Sequence, residues 1–233
     1  MDTPFFYHHP LSEAQGIEDL SEDTARHVVS VLRMREGEAM ILVDGRGTLA
    51  RAEILQTAKK RCAVRILSVE KKPDTRRPVT VAVSPVKNAA RYEWMLEKLS
   101  EIGVRLVIPL LTERTVRERM RADRLESIAV SAMLQSQQAW MTEVASPCNL
   151  SYLWSDDRYI RRYIAHCLPE SRTELRSEAR STASTLILIG PEGDFSPGEI
   201  ESALAAGCVP VSLGEHRLRT ETAALVAAVM LAI

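Results

Sequence analysis

From Val79 onward, short apolar runs alternate with amphipathic stretches, and this alternation constrains the fold more than any other feature of the chain. Residues 79–83, 105–110, 163–166, 185–189 and 209–213 read as strands, and residues 88–102, 123–137, 199–206 and 220–233 as helices. In 88–102 the residues Tyr92, Leu96 and Leu99 form one stripe, and Gly103 stands where a left-handed cap is wanted. Strands that are apolar throughout and separated by helices call for a mostly parallel sheet covered on both faces. The polar stretch 170–184 is expected to be a surface loop or a short exposed helix.

The first 72 residues follow a different rule. Phe5-Phe6-Tyr7 is a short strand candidate. Ser21 is placed to cap a helix whose first turn holds Glu22 and Asp23, and which carries Val28, Val29, Val31 and Leu32. Residues 39–43, 48–55 and 61–69 read as strands. Asp44-Gly45-Arg46-Gly47 is a hairpin signal, its glycines free to take positive φ. Strands this close predict a small antiparallel barrel. The polar stretch from Lys71 to Pro78 holds two prolines and no periodicity, as a linker does. The expected plan is a β-barrel domain over 1–72, a linker at 73–78 and an α/β domain over 79–233.

Charge and cysteine content narrow the function. Thirty Lys and Arg against 31 Asp and Glu exclude a uniformly basic coat. Locally, residues 24–72 carry eleven basic residues against five acids, and Arg114, Arg117, Arg119 and Arg121 follow among residues 113–121. A basic small domain fits a grip on RNA phosphates through Arg26, Arg33, Arg35, Arg46 and Arg51, although an ordinary solvated surface has the same composition. Cys62, Cys148, Cys167 and Cys208 are scattered without a C-x-x-C pair, so neither a disulfide framework nor a metal site is expected. The start of the chain lacks the pattern of a signal peptide. The longest uncharged apolar run, 223–233, falls well short of the roughly 20 residues a spanning helix needs. It reads as a helix buried in a core or a subunit interface, and the protein is expected to be cytoplasmic.

The chemistry concentrates near the C-terminus. Leu188-Ile189-Gly190-Pro191-Glu192-Gly193-Asp194-Phe195-Ser196 is a strand entering a turn, then a helix capped by Ser196 with Pro197 at its first position. Val211-Ser212-Leu213-Gly214 repeats the move, and Leu218-Arg219-Thr220-Glu221-Thr222-Ala223 opens the last helix. In a parallel sheet these turns share the carboxyl edge with Ser84-Pro85-Val86-Lys87-Asn88, and ligands of open α/β folds bind at that edge. Glycines there let a ligand touch backbone, though each could serve turn geometry alone. No G-x-G-x-x-G, phosphate loop or G-x-S-x-G elbow is present.

These strings, with His27-Val28-Val29-Ser30-Val31-Leu32-Arg33-Met34, Lys98-Leu99-Ser100-Glu101-Ile102-Gly103-Val104 and Gln135-Ser136, closely resemble the ribosomal RNA small subunit methyltransferase E family. That family lies within the SPOUT superfamily of knotted methyltransferases. The resemblance covers nearly the whole chain. It implies a PUA-like barrel before a trefoil-knot domain, a homodimer, and S-adenosylmethionine-dependent methylation of N3 of one uridine in 16S rRNA on the small ribosomal subunit. By position it assigns the cofactor to Leu188, Ile189, Gly190, Gly193, Leu213, Gly214, Leu218 and Thr220. Arg219 is the expected stabiliser of charge on the uracil carbonyls. Glu221 is expected to orient Arg219 or take the proton, unless the two form a structural pair. The sequence departs from the family pattern at Asp194, where many members have glycine, and at Glu215-His216-Arg217. It departs again after Gln135-Ser136 and at Pro4. Ribose 2′-O-methylation in the same cleft, or RNA binding without catalysis, are the alternatives.

Overall fold

The structure, a computed structural model, describes residues 3–12, 14–58, 60–116, 120–168, 172–178 and 182–233. The chain forms two compact units. One comprises Met1–Thr75 with Met133–Met141, the other Arg76–Ala132 with Thr142–Ile233.

The first unit is built on β1 (Phe5–Tyr7), β2 (Ile17–Asp19), α1 (Glu22–Arg26), β3 (Ala39–Val43), β4 (Thr48–Ala58) and β5 (Arg61–Lys71). Ser21 caps α1 through the Thr24 amide, and one wider turn, His27–Val31, follows it. The sheet order is β1-β3-β4-β5-β2. All pairs are antiparallel except β1 with β3, which are parallel and pair Phe5 with Ile41. A wholly antiparallel arrangement is therefore corrected. The long connection that carries β2 and α1 brings the chain back in the same direction, as a parallel pairing requires.

The hairpin between β3 and β4 is fixed by its own residues. Gly45 and Gly47 sit at φ 71° and 89°. Asp44 Oδ1 accepts the amides of Arg46 (2.7 Å) and Thr48 (2.9 Å). Strand alternation then turns Ala50, Ala52 and Ile54 toward Cys62, Val64 and Ile66 in the core.

The sequence gives no sign of the return of Met133–Met141 to this unit. Met133 packs with Ile41 and Val43. Trp140 Nε1 donates to the Lys72 carbonyl (3.1 Å), and the Lys72 amide donates to Gly47 O (2.8 Å). The expected 73–78 linker follows directly on Lys72, and an uninterrupted 79–233 domain omits this return.

The second unit contains β6 (Val79–Val83), α2 (Ala89–Ile102), β7 (Leu106–Leu111), most of α3 (Ala122–Gln135), β8 (Glu143–Val144), β9 (Cys148–Asn149), α4 (Leu150–Trp154) and β10 (Arg161–Ala165). It continues through β11 (Thr173–Glu174), α5 (Leu175–Glu178), β12 (Thr185–Ile189), α6 (Pro197–Ala205), β13 (Val209–Ser212) and α7 (Thr220–Ala232). The order is β11-β13-β10-β12-β6-β7-β8, with β9 also on β7. Every pair is parallel. β6 and β12 are buried at all their residues, as central parallel strands should be. One face carries Val81, Val83, Ile187 and Ile189 against α2 and α7; the other carries Ala82, Ile108, Leu186 and Leu188 around Phe195 and Ile200. Gly103 caps the end of α2 as its sequence predicts, and Asn88, read there as the first helical residue, is instead the N-cap. Within the polar stretch, Leu175 is fully buried at the start of α5, so this segment is not wholly exposed. Because the strands are parallel, the loops that leave their carboxyl ends share one edge.

Candidate functional site

Two adjoining cavities of about 300 Å³ each open at that edge. Both are lined by Ala165, Cys167, Arg217, Leu218 and Ala223. One adds Ile189, Gly190, Pro191, Glu192, Asp194, Arg219 and Thr220; the other adds His166, Arg172 and the run from Val211 to His216. Together they fall in the size range of small-molecule sites. Ile189, Leu213, Leu218 and Ala223 give an apolar wall. Gly214, at φ 134°, presents backbone where an added Cβ would meet nothing within 4 Å. Ser212 Oγ both donates to Gly214 O and accepts from Gly214 N, which shapes that turn.

Bonds between residues far apart in sequence hold the loops together. Thr220 Oγ1 donates to Gly190 O (3.0 Å) and ties the start of α7 to the turn after β12. The Lys87 amide donates to Glu192 Oε1 (3.2 Å). Arg114 Nη1 donates to Gly193 O (2.7 Å) and Phe195 O (3.3 Å). Glu199 completes a capping box with Ser196 and also accepts the Glu113 amide at 2.9 Å. Gly190 is needed for close approach: a Cβ there would stand 3.1 Å from the Phe195 ring. Burial first, and the Asp194 carboxylate second, push the Cys167 thiol up, so this cysteine offers no ready thiolate.

The residues singled out in the sequence divide into two groups. Ile189, Gly190, Leu213, Gly214, Leu218, Arg219 and Thr220 line the cleft. Leu188, Gly193 and Glu221 do not. Leu188 points to the opposite face of the sheet, with Phe195 and Ile200. Gly193 is engaged through its carbonyl by Arg114. Glu221 is buried, and its carboxylate lies 3.8 Å from Arg91 Nε on α2. Among the described residues its ion pair is with Arg91 and not with Arg219, and it is not part of the cleft lining next to Thr220.

Sequence reasoning missed Cys167 and Arg217, which line both cavities. Cys167 sits in a loop with no glycine signature. Arg217 lies in the Glu215-His216-Arg217 stretch that departs from the family pattern. Of the basic residues, Arg33, Arg35, Arg46 and Arg51 are exposed, whereas Arg26 is already paired with Glu22 and Asp23. Arg114 is a strap within the site, Arg121 pairs with Asp123, and Arg117 and Arg119 lie outside the described residues.

A chain with this sheet and cleft matches the RNA methyltransferase domain family over residues 73–232 and the PUA domain of RNA methyltransferases over 20–67. Among curated relatives, the ribosomal RNA small subunit methyltransferase E of Mycobacterium bovis is 31% identical over 95% of this chain and 88% of its own length. That of Synechocystis is 28% identical over 84% of this chain, and the match spans 66% of the Synechocystis protein. Among solved structures, the "probable rRNA-methyltransferase" of Porphyromonas gingivalis is 42% identical, with a TM-score of 0.88 over 97% of this chain and 95% of that one. The Neisseria gonorrhoeae ribosomal RNA small subunit methyltransferase E bound to S-adenosyl methionine is 27% identical, with a TM-score of 0.86 over 97% and 95%. The chain belongs to the ribosomal RNA small subunit methyltransferase E family.

Proposed function

We propose that this chain binds S-adenosylmethionine in the cleft and methylates N3 of one specific uridine of 16S rRNA in the small ribosomal subunit, acting in the cytoplasm as a homodimer. One observation carries the reading: Gly190, Gly214, Leu218 and Arg219, drawn from two separate loops, meet on a single cleft at the carboxyl edge of the sheet. The residues present fit the cofactor. The wall of Ile189, Leu213, Leu218 and Ala223 suits an adenine face, and the bare backbone at Gly214 suits its polar edge. When bound, the cofactor supplies an electrophilic methyl group on a sulfonium.

What remains for the protein is positioning and charge. Arg219 is exposed at the cleft, and in this reading its guanidinium donates to the uracil carbonyl oxygens as N3 loses its proton. Donors fixed there would stabilise the negative charge left on the uracil once the N3 proton has passed to water. Glu221 takes no part in that transfer; it anchors the first turn of α7 against Arg91.

In the first unit, exposed Arg33, Arg35, Arg46 and Arg51 are proposed to hold RNA phosphates, with a matching steep loss of affinity as salt rises. The dimer reading is supported by apolar residues left exposed on two packed helices: Trp94 of α2 and Val229 of α7, with Ile233 beyond its end. The trefoil knot belongs to the same reading, since α7 leaves β13 and packs back on α2, β6 and β12. No helix among the described residues is long and apolar enough to cross a membrane.

The test is Arg219→Ala. Its turnover at saturating cofactor is expected to fall on the order of 100-fold with little change in cofactor affinity, as for loss of one oxyanion donor. Unchanged turnover would remove Arg219 from the chemistry.

A further inference from the structure

Asp194 stands at φ 63°, a left-handed conformation that side chains other than Asn and Asp seldom adopt. Glycine would be the least strained residue there. The carboxylate that this position carries instead is engaged on both oxygens. Oδ1 accepts the amide of the next residue, Phe195, at 2.8 Å. Oδ2 accepts the Cys167 amide, also at 2.8 Å, from a loop 27 residues earlier in the chain. Asp194 and Cys167 line the same cavity, on the loops that follow the neighbouring strands β12 and β10. A single side chain therefore joins two walls of the cleft.

We infer that Asp194 is a positioning residue: its carboxylate latches the loop after β10 to the turn after β12 and holds the cleft in its cofactor-ready shape before the cofactor arrives. The inference rests on the cofactor reading of this cleft. It follows from pre-organisation, since a wall that is already fixed need not be ordered on binding. The latch acts on binding and not on the methyl transfer itself.

The experiment compares the wild type with Asp194→Gly and Asp194→Asn in three measurements. These are S-adenosylmethionine titration, turnover at saturating cofactor, and hydrogen exchange of the Cys167 amide without cofactor. Glycine relieves the backbone and removes the latch. It is expected to weaken cofactor binding about tenfold and to speed Cys167 exchange at least tenfold. Asparagine tolerates the same backbone and keeps one acceptor oxygen, so it should restore part of both. If Asp194→Gly leaves exchange at Cys167 unchanged, or lowers saturated turnover while affinity holds, the latch is refuted. A wild type that binds no S-adenosylmethionine would defeat the cofactor reading instead, and the exchange measurement, which needs no cofactor, would still decide the latch.

Discussion

The two units solve the problem of fixing loops in opposite ways. In the first, the decisive contacts are local: Asp44 holds the amides two and four residues ahead, and β3, β4 and β5 follow one another through short turns. In the second, the bonds that join one cleft loop to another are long-range. Glu192 meets Lys87 across 105 residues, Glu199 meets Glu113 across 86, and Arg114 meets Gly193 across 79. A parallel sheet imposes this, because its strands connect only through long crossovers while their loops emerge together. Turn chemistry encodes the first unit, and sheet topology encodes the site.

That contrast can be broken most severely at Gly47. An alanine Cβ there would stand 2.5 Å from the Trp140 ring and 2.8 Å from the Lys72 carbonyl, at a φ of 89°. Overpacking and left-handed strain together are expected to cost about 3 kcal/mol or more. Hydrogen exchange should show lost protection in β3, β4 and β5 while β6 and β12 keep theirs. Equal loss in both sets would mean that the units do not differ as described.

The next effect tests the long-range half. Glu199→Ala removes the capping box and the acceptor for the Glu113 amide, for an expected loss of about 1–3 kcal/mol by thermal unfolding. Thr220→Val leaves Gly190 O without its buried donor, at about 1–2 kcal/mol, and should weaken cofactor binding alongside. A Thr220→Val protein with unchanged affinity would separate the start of α7 from the cleft.

The smallest effect sharpens the local half. Burial alone would raise the Asp44 carboxyl. Hydrogen bonds from Thr48 and the Arg46 amide, with Lys71 nearby, outweigh it and hold the group below its ordinary value of 3.8. A lowered carboxyl contributes stability that is complete above that ordinary value and is lost as pH falls through the lower folded value. Asp44→Asn is therefore expected to cost about 1 kcal/mol at neutral pH and to flatten acid unfolding below about pH 4. An unaltered acid limb would place the sensitivity elsewhere.

What the sequence revealed follows the same division. The Asp44–Gly47 turn, the Gly103 cap of α2 and the Ser196–Pro197 start of α6 are written in adjacent residues, and each forms. The parallel β1–β3 pairing, the two-residue strands β8 and β9, and the return of Met133–Met141 depend on partners far along the chain, so no local pattern announces them. At the site, glycine-ended strands revealed Gly190 and Gly214. They could not reveal Cys167, whose loop carries no such signature. Strand alternation already allows only one of Leu188 and Ile189 to face the cleft, and the structure selects Ile189. Glu221 looked chemical beside Arg219, but Arg219 is the extended cap before α7, residues two apart do not face each other, and the Glu221 carboxylate lies near Arg91.

Methyl transfer from labelled S-adenosylmethionine to small ribosomal subunits that lack the modification, followed by nucleoside analysis of the 16S rRNA, tests the proposed reaction itself. Label is expected in 3-methyluridine, at one position. Label in a ribose, or no transfer by a protein that binds the cofactor, would contradict it.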